Sequence, residues 1–516
     1  MKTLKISALQ ARLNHYFWII ALLQLCLWTF LPFFIRHAVG NDLIEALTWG
    51  HQFEWGYDKN PFLPGLLANM GGLFGHSGFG IYFIQQLFIL LGVWSVRTLT
   101  FELTDNPAYA FIAAIALLLC ASYNIEVQIY NDNYILQGLL PLSALFFYRG
   151  IKNNNLKPWL FSAVILSLAT LAKYSAIIFL PLYALYLLFS PQRKAYYFSI
   201  KPYLALLLYS LMLLPNIIWL YNQDFNALSY AFLARGLLHQ LAYLQYLNNN
   251  LDFLLTLLTQ TLPALLAVLI AIEYKKNSSH AYLTHTAFSS TSNNPLLYSC
   301  LLGLGPISLL FILASLLGFS LHREWGSTFI SFLGTTFLVI FQPAISHRSI
   351  TRFTLFTVTV MLSFALGYII VSEKNDTGAY PGPEIAKFAT QLWRSQFGTK
   401  LAYVAGDRYT AGYIGYYSAD KPSVWMEWNN NNSPWISQKA MRCKGALFVI
   451  ESGHTVQHFF KGSRFPSFVR VQFPNLIYLP LQSFNGYRNH TQQAPIEVRF
   501  ALLPPDKAYC NFKIDK

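Results

Sequence analysis

Charge is scarce in this chain. Only 11% of its 516 residues are Asp, Glu, Lys or Arg, while 54% are hydrophobic. A soluble domain carries roughly a quarter charged residues, so the deficit excludes an ordinary soluble globule and points to lipid as the solvent. Acids are scarcer still, 22 against 36 Lys and Arg, which leaves a net charge of +14. A basic balance can signal nucleic acid. Here the basic residues punctuate apolar runs and form no stripe, so nucleic acid is excluded as a partner. No CxxC and no Cys/His zinc spacing occurs. Without GxGxxG or a P-loop, a nucleotide site is unsupported. No cleavable signal pattern is present. The first apolar run, 16–35, is long enough to span and many more follow it, so it reads as a signal anchor. No internal repeat is visible.

What is abundant is apolar sequence in blocks. Runs fall at 16–35, 79–100, 108–122, 134–148, 158–172, 175–190, 201–220, 250–272, 297–320, 326–343 and 353–372. Several are shorter than the ~20 residues a helical span needs, but the charges alternate correctly across all of them. With a cytoplasmic N-terminus, fourteen Lys and Arg fall on the cytoplasmic side, against Arg36, Lys59, Lys173, Arg235 and Arg323 in the opposite short loops. That asymmetry predicts about eleven spans with the C-terminus outside. Many of the 32 Tyr, 42 Phe and 12 Trp close apolar runs, as in an interfacial belt.

The expected organisation is a mainly α, polytopic transmembrane domain over 1–372 and a soluble extracytoplasmic α/β domain over 373–516. In the second part polar residues, Pro and Gly return and no run can span. Short apolar runs at 401–405 and 446–450 read as buried strands. Gly406-Asp407-Arg408 follows the first of them and precedes an expected helix. Cys26, Cys120 and Cys300 lie in or beside apolar segments and read as small buried hydrophobes. Cys443 and Cys510 are the two cysteines of the polar tail. In an oxidising compartment they are expected to pair, with Cα atoms within about 7 Å.

The outer loops carry the chemistry. The first holds Asp42, Glu45, Glu54 and Asp58 with a single Lys, Lys59. Asp42 and Glu45, three apart, share a helical face. A carboxylate pair suits general-base work or a cation, and a lone Lys suits a phosphate. From spacing alone an ordinary solvated loop with local ion pairs fits equally well. The second outer loop holds Glu126, Asn131, Asp132 and Asn133, which could line the same cavity or simply cap helices. Lys173 sits between two apolar runs, where a cation is costly and often functional, or snorkels to the interface. Arg235, on an amphipathic stretch, could hold an anionic lipid head group.

The run Asp42…Glu45…Trp49-Gly50…Trp55-Gly56-Tyr57-Asp58-Lys59-Asn60-Pro61-Phe62-Leu63-Pro64 resembles the first-loop motif of bacterial family 39 glycosyltransferases. These are relatives of protein O-mannosyltransferases and of the lipid A aminoarabinose transferase. The common form there is GYDKHPPLP, so Asn60 and Phe62 are departures. Asn131-Asp132-Asn133, Lys173-Tyr174, Pro215-Asn216, Arg235-Gly236 and Trp325-Gly326 follow in the family's order. So do Tyr403-Val404-Ala405-Gly406-Asp407-Arg408, Lys421-Pro422-Ser423-Val424 and Ser433-Pro434-Trp435 in the tail.

The resemblance implies a GT-C fold and sugar transfer from a polyprenyl-phosphate carrier to a lipid, glycan or protein acceptor at the outer face of a bacterial inner membrane. Asp42 is then the base, with Glu45 as the second acid, since Leu43 stands where relatives often carry Glu. Lys59 meets the donor phosphate, and Tyr57, Asp58, Asp132, Asn133, Lys173 and Arg235 contribute to substrate binding. No cofactor is required, although Asp42, Glu45 and Asp132 would suit a divalent cation. The competing readings are a transporter or lipid-linked sugar flippase, which would place charges mid-span and often show inverted repeats, and a non-catalytic relative.

Overall fold

The computed structural model describes residues 2–75, 78–233, 243–273, 294–321, 323–371, 379–452, 465–488 and 491–510. They form two compact units. One comprises residues 1–30 and 83–368. The other comprises 31–82 and 369–516. The division near 368 lies close to the boundary expected at 372. The first outer loop, expected within the membrane domain, belongs instead to the compact unit of the C-terminal residues.

The first unit is helical. Six described helices are long and apolar enough to cross a membrane: Leu9–Ile35, Phe79–Thr104, Asn133–Asn153, Ile200–Asn222, Leu244–Ile270 and His347–Ile370. Pro295–Gly303 and Gly305–Leu317 make a seventh if their 46° bend is counted as one broken span. The remaining apolar runs form shorter helices: Pro107–Leu117, Leu156–Ala172, Phe179–Phe189 and Leu333–Phe341. Every run read from the sequence therefore contains a helix, and length and composition together qualify six or seven of the eleven.

The apolar window of Leu244–Ile270 is only 22% buried, and that of Ile200–Asn222 only 28%. Leu206, Leu207, Leu211, Leu255 and Leu258 lie on the open faces. Such faces are stable only against hydrocarbon. Some polar groups inside find partners within the bundle. The Gln24 amide donates to Gln86 at 3.2 Å and to the Tyr123 carbonyl at 2.8 Å, and Thr100 meets Thr335 at 2.7 Å. Cys120 is buried and Cys300 half-buried, whereas Cys26 is exposed on its helix.

The second unit contains a six-stranded mixed sheet: β1 (Tyr403–Gly406), β2 (Ser423–Met426), β3 (Ala446–Ser452), β4 (Ile477–Tyr478), β5 (Gln482–Arg488) and β6 (Thr491–Leu503). The order is β2-β1-β3-β6-β4, with β5 also on β6. β1 pairs in parallel with both β2 and β3, and β6 runs antiparallel to β3. The Arg408–Tyr417 helix crosses from β1 to β2, and the Gln438–Lys444 helix lies between β2 and β3. The core is aromatic and aliphatic, with Trp425, Phe448, Phe465, Phe473 and Ala501 at its centre. Cys443 and Cys510 are joined, their Cα atoms 4.9 Å apart, which ties the C-terminal segment to the Gln438–Lys444 helix.

This strand order has a consequence for chemistry. From β1 the chain leaves to one side to make β2, then returns to the other side to make β3. The carboxyl end of β1 is a topological switch point, where the flanking loops diverge and open a crevice. Gly406, Asp407 and Arg408 stand at that point.

Candidate active site in the first loop

The first loop enters the second unit as two short helices, Asn41–His51 and Leu63–Gly72. They approach closely because both carry glycine at the crossing. A Cβ on Gly50 would lie 2.0 Å from the Gly65 carbonyl oxygen, and one on Gly65 would lie 3.0 Å from the Tyr57 ring. Between the helices the chain reverses over 57–60. Gly56 bridges Pro61, and the Tyr57 N–H donates to the Asn60 carbonyl at 2.8 Å. The Tyr57 ring stacks on Trp49 at 5.3 Å and its hydroxyl donates to the Gln52 carbonyl at 3.0 Å. The Trp-Gly and Gly-Tyr-Asp-Lys portions of the motif are thus one packed object, with Asp58 and Lys59 at the tip of the turn.

Both tip residues point into an ion network. Lys59 Nζ donates to Glu45 Oε1 at 2.7 Å. Asp58 accepts from the Trp49 indole at 3.2 Å and from Arg408 Nη2 at 2.6 Å. Arg408 Nη1 donates to the same Glu45 oxygen that holds Lys59. Arg408 also reaches Glu427, from Nη2 at 3.0 Å and from Nε at 3.4 Å. Glu427 accepts in addition from the Asn432 amide at 2.6 Å. Three carboxylates and two cations therefore share one site, and the Arg408 side chain is only 2% exposed.

The ionisation of the network follows from its partners. Burial pushes the Glu45 carboxyl up, but Lys59 and Arg408 outweigh it and hold the group below the usual carboxylate range. For Asp58 burial wins: together with the negative charge of Glu45 it leaves this carboxyl above its ordinary value despite Arg408. Burial disfavours the Arg408 cation, yet Asp58, Glu45 and Glu427 raise it well above the ordinary guanidinium range. Asp407 caps the Arg408–Tyr417 helix, accepting from the Thr410 N–H at 2.8 Å. Burial raises its carboxyl too.

Asp42 lies one turn before Glu45 on the same helix and, unlike it, is exposed. Both carboxylates act on the Tyr409 phenol. The Tyr409 phenol is raised first by burial, then by Glu45 and Asp42, with Lys59 and Arg408 opposing them. Asp42, Glu45, Lys59, Arg408 and Tyr409 thus belong to one neighbourhood. Tyr57 and Asp58, expected to bind substrate, are buried and shape the turn.

The remaining described site residues, Asp132, Asn133 and Lys173, lie in the first unit. Lys173 follows the Leu156–Ala172 helix in extended conformation and donates to Asp132 at 3.0 Å and to Asn133 at 2.7 Å. The second-loop acid and amide are therefore brought to Lys173. Glu126 accepts from the Gln260 amide at 3.0 Å. Arg235 lies outside the described residues.

Arg408 is the residue the sequence reading flagged without a role. Its signal was a lone Arg directly after a buried strand and a capping Asp. Two of its three carboxylate partners lie more than 340 positions away in the chain, Asp58 by 350 and Glu45 by 363.

A second ion pair joins the loop to the tail. His37 Nε2 lies 2.9 Å and 3.1 Å from the two Glu384 oxygens. The bond to Glu384 raises His37, while Glu384 is pushed up by burial but held lower overall by His37. The raised histidine contributes stability that is fully present below its unfolded value, near 6.5, and lost as pH rises through the higher folded value. The lowered carboxyl contributes above about 4.5 and loses its contribution as pH falls. The thermal midpoint of wild type minus that of His37→Gln should therefore be largest between about pH 4.5 and 6.5 and shrink above it. A difference that grows toward pH 8 would contradict the pairing.

With the geometry in place, the chain can be compared with known proteins. Residues 58–219 match the family described as dolichyl-phosphate-mannose-protein mannosyltransferase. No curated protein matches at a significant level. Among solved structures, ArnT from Cupriavidus metallidurans bound to undecaprenyl phosphate aligns at a TM-score of 0.52 and 13% identity, covering 95% of this chain and 98% of that one. The fold is that of a GT-C glycosyltransferase. The apo form of the same protein gives a TM-score of 0.49 at 13% identity, over 96% and 98% of the two chains. An oligosaccharyltransferase from Archaeoglobus fulgidus, tethered to an acceptor peptide, gives 0.39 at 13% identity over 81% and 64%. The family match and the ArnT fold agree with the resemblance read from the first-loop motif.

Proposed function

We propose that this protein moves a sugar from a polyprenyl-phosphate carrier to a lipid, glycan or protein acceptor at the extracytoplasmic face of the membrane. The observation that carries the reading is the first-loop helix itself. It presents an exposed acid, Asp42, one turn before Glu45, whose partner Lys59 stands at the tip of a turn in a motif that resembles donor-binding loops. Support comes from the ArnT fold and from the match over 58–219. The Cys443–Cys510 bond suits an oxidising compartment for the tail.

The chemistry is a single displacement. The acceptor hydroxyl oxygen attacks the anomeric carbon while its proton passes to the Asp42 carboxylate. The bond from the anomeric carbon to the phosphate oxygen breaks, and the carrier phosphate leaves with the electron pair. Attack opposite the leaving group inverts the anomeric centre. The phosphate is already a good leaving group, so no general acid is required, and Lys59 offsets the charge developing on it. The step as written needs no metal.

The test uses membranes carrying the protein and a panel of polyprenyl-phosphate sugars. Lys59→Ala should raise KM for the lipid donor by roughly tenfold or more, because a charge-assisted bond to phosphate is lost. Transfer by wild type from none of the donors, or an unchanged donor KM in the variant, would remove the reading.

A further inference from the structure

Lys59 faces a conflict if it is to bind a phosphate. In the protein as it stands its ammonium is held at 2.7 Å by Glu45, a carboxylate that is only 6% exposed. Leaving for a ligand would strand a buried anion, which is strongly unfavourable. The structure contains the answer to that conflict. The same Glu45 oxygen accepts from Arg408, which the soluble domain delivers at the carboxyl end of β1. Arg408 is in turn anchored by Asp58 and Glu427 at 2.6 and 3.0 Å.

We propose that Arg408 is a positioning residue of the transferase: it keeps Glu45 compensated, so that Lys59 can turn from Glu45 to the phosphate of the lipid donor. This rests on the donor reading above. Arg408 itself is too enclosed to touch substrate. Its guanidinium is committed to three carboxylates, and its planar fork can serve several of them at once where a lysine could not. The soluble domain then supplies a working part of the site. Its switch-point crevice, where sheets of this kind bind ligands, is occupied by the first loop's own acids.

Removing the guanidinium makes a specific pattern. In Arg408→Gln, Lys59 becomes the sole cation for Glu45 and Asp58 and is locked in place. In the double variant Glu45→Gln/Arg408→Gln the acid that locks it is gone. In Glu45→Gln alone, Lys59 is released while Arg408 still holds Asp58.

The experiment titrates purified full-length protein in detergent with undecaprenyl phosphate. It also measures the acetylation rate of Lys59 at fixed pH by mass spectrometry, with a thermal melt of each variant. Arg408→Gln should weaken lipid-phosphate binding about tenfold or more and slow Lys59 acetylation. The double variant should recover most of both, and Glu45→Gln should bind at least as well as wild type. A purely structural Arg408 gives another pattern: a lowered melt, unchanged affinity per folded molecule, and no recovery in the double variant. That pattern overturns the proposal. If Arg408→Gln fails to fold, the double variant and Glu45→Gln still decide, since loss of binding or slower acetylation in Glu45→Gln also overturns it. If wild type fails to bind undecaprenyl phosphate, the donor reading falls, and the order of the Lys59 acetylation rates still decides the role of Arg408.

Discussion

Asp42→Asn should lower sugar transfer by about 10²–10⁴-fold, the range lost with a general base, while leaving the folded protein intact. The second half of that statement comes from the structure. Asp42 is exposed in the first turn of its helix, whereas Glu45, Asp58 and Glu427 are committed to Arg408. An exposed acid contributes little to stability, so its loss should be read in kcat and not in yield. Removal of Glu45 or Asp58 disturbs a buried network, so its effect on transfer is read per folded molecule. The measurement is transfer from the best polyprenyl-phosphate sugar of the panel, paired with a thermal melt of each protein. An Asp42→Asn enzyme with kcat within a few-fold of wild type would assign the base elsewhere.

The second large effect lies in the tail. Cys443→Ser should destabilise the second unit by about 4 kcal/mol, the chain-entropy value for opening a loop of 67 residues. The bond joins the segment after β6 to the helix before β3, so the two ends of that core would separate most easily. The thermal midpoint of wild type with and without reductant checks the size of the effect. The same bond reads the orientation. In a background with Cys26, Cys120 and Cys300 replaced by Ala, a membrane-impermeant maleimide should label intact spheroplasts only after reduction. Labelling without reduction would deny the bond in cells. Labelling that needs permeabilised membranes would place the tail inside.

Much of the architecture was legible because it depends on local composition. Runs such as 201–220 and 353–372 had no alternative to helices in lipid, since leucines such as Leu206, Leu211, Leu355 and Leu362 form faces that no other described element covers. The strands expected at 401–405 and 446–450 appear as β1 and β3 because short, continuous apolar runs between polar turns suit a sheet covered on both faces. The cysteine pair was legible because the tail has only two cysteines. Span number was harder. Pro107–Leu117 and Leu333–Phe341 are apolar enough but fall short of a bilayer in length, and charge alternation cannot measure length.

The sequence by itself determined the solvent, the helical runs, the change to an α/β tail and the acids and lysine of the first loop, because each is a property of neighbouring residues. Only the tertiary structure decided what those residues are for one another. Whether Glu45 is free or paired, and which of Asp42 and Asp58 is exposed, depend on Arg408 and Glu427, which arrive from the crevice at the end of β1. Ionisation and availability are set by burial and by charges a few ångströms away, and no spacing along the chain carries a distance across 363 residues.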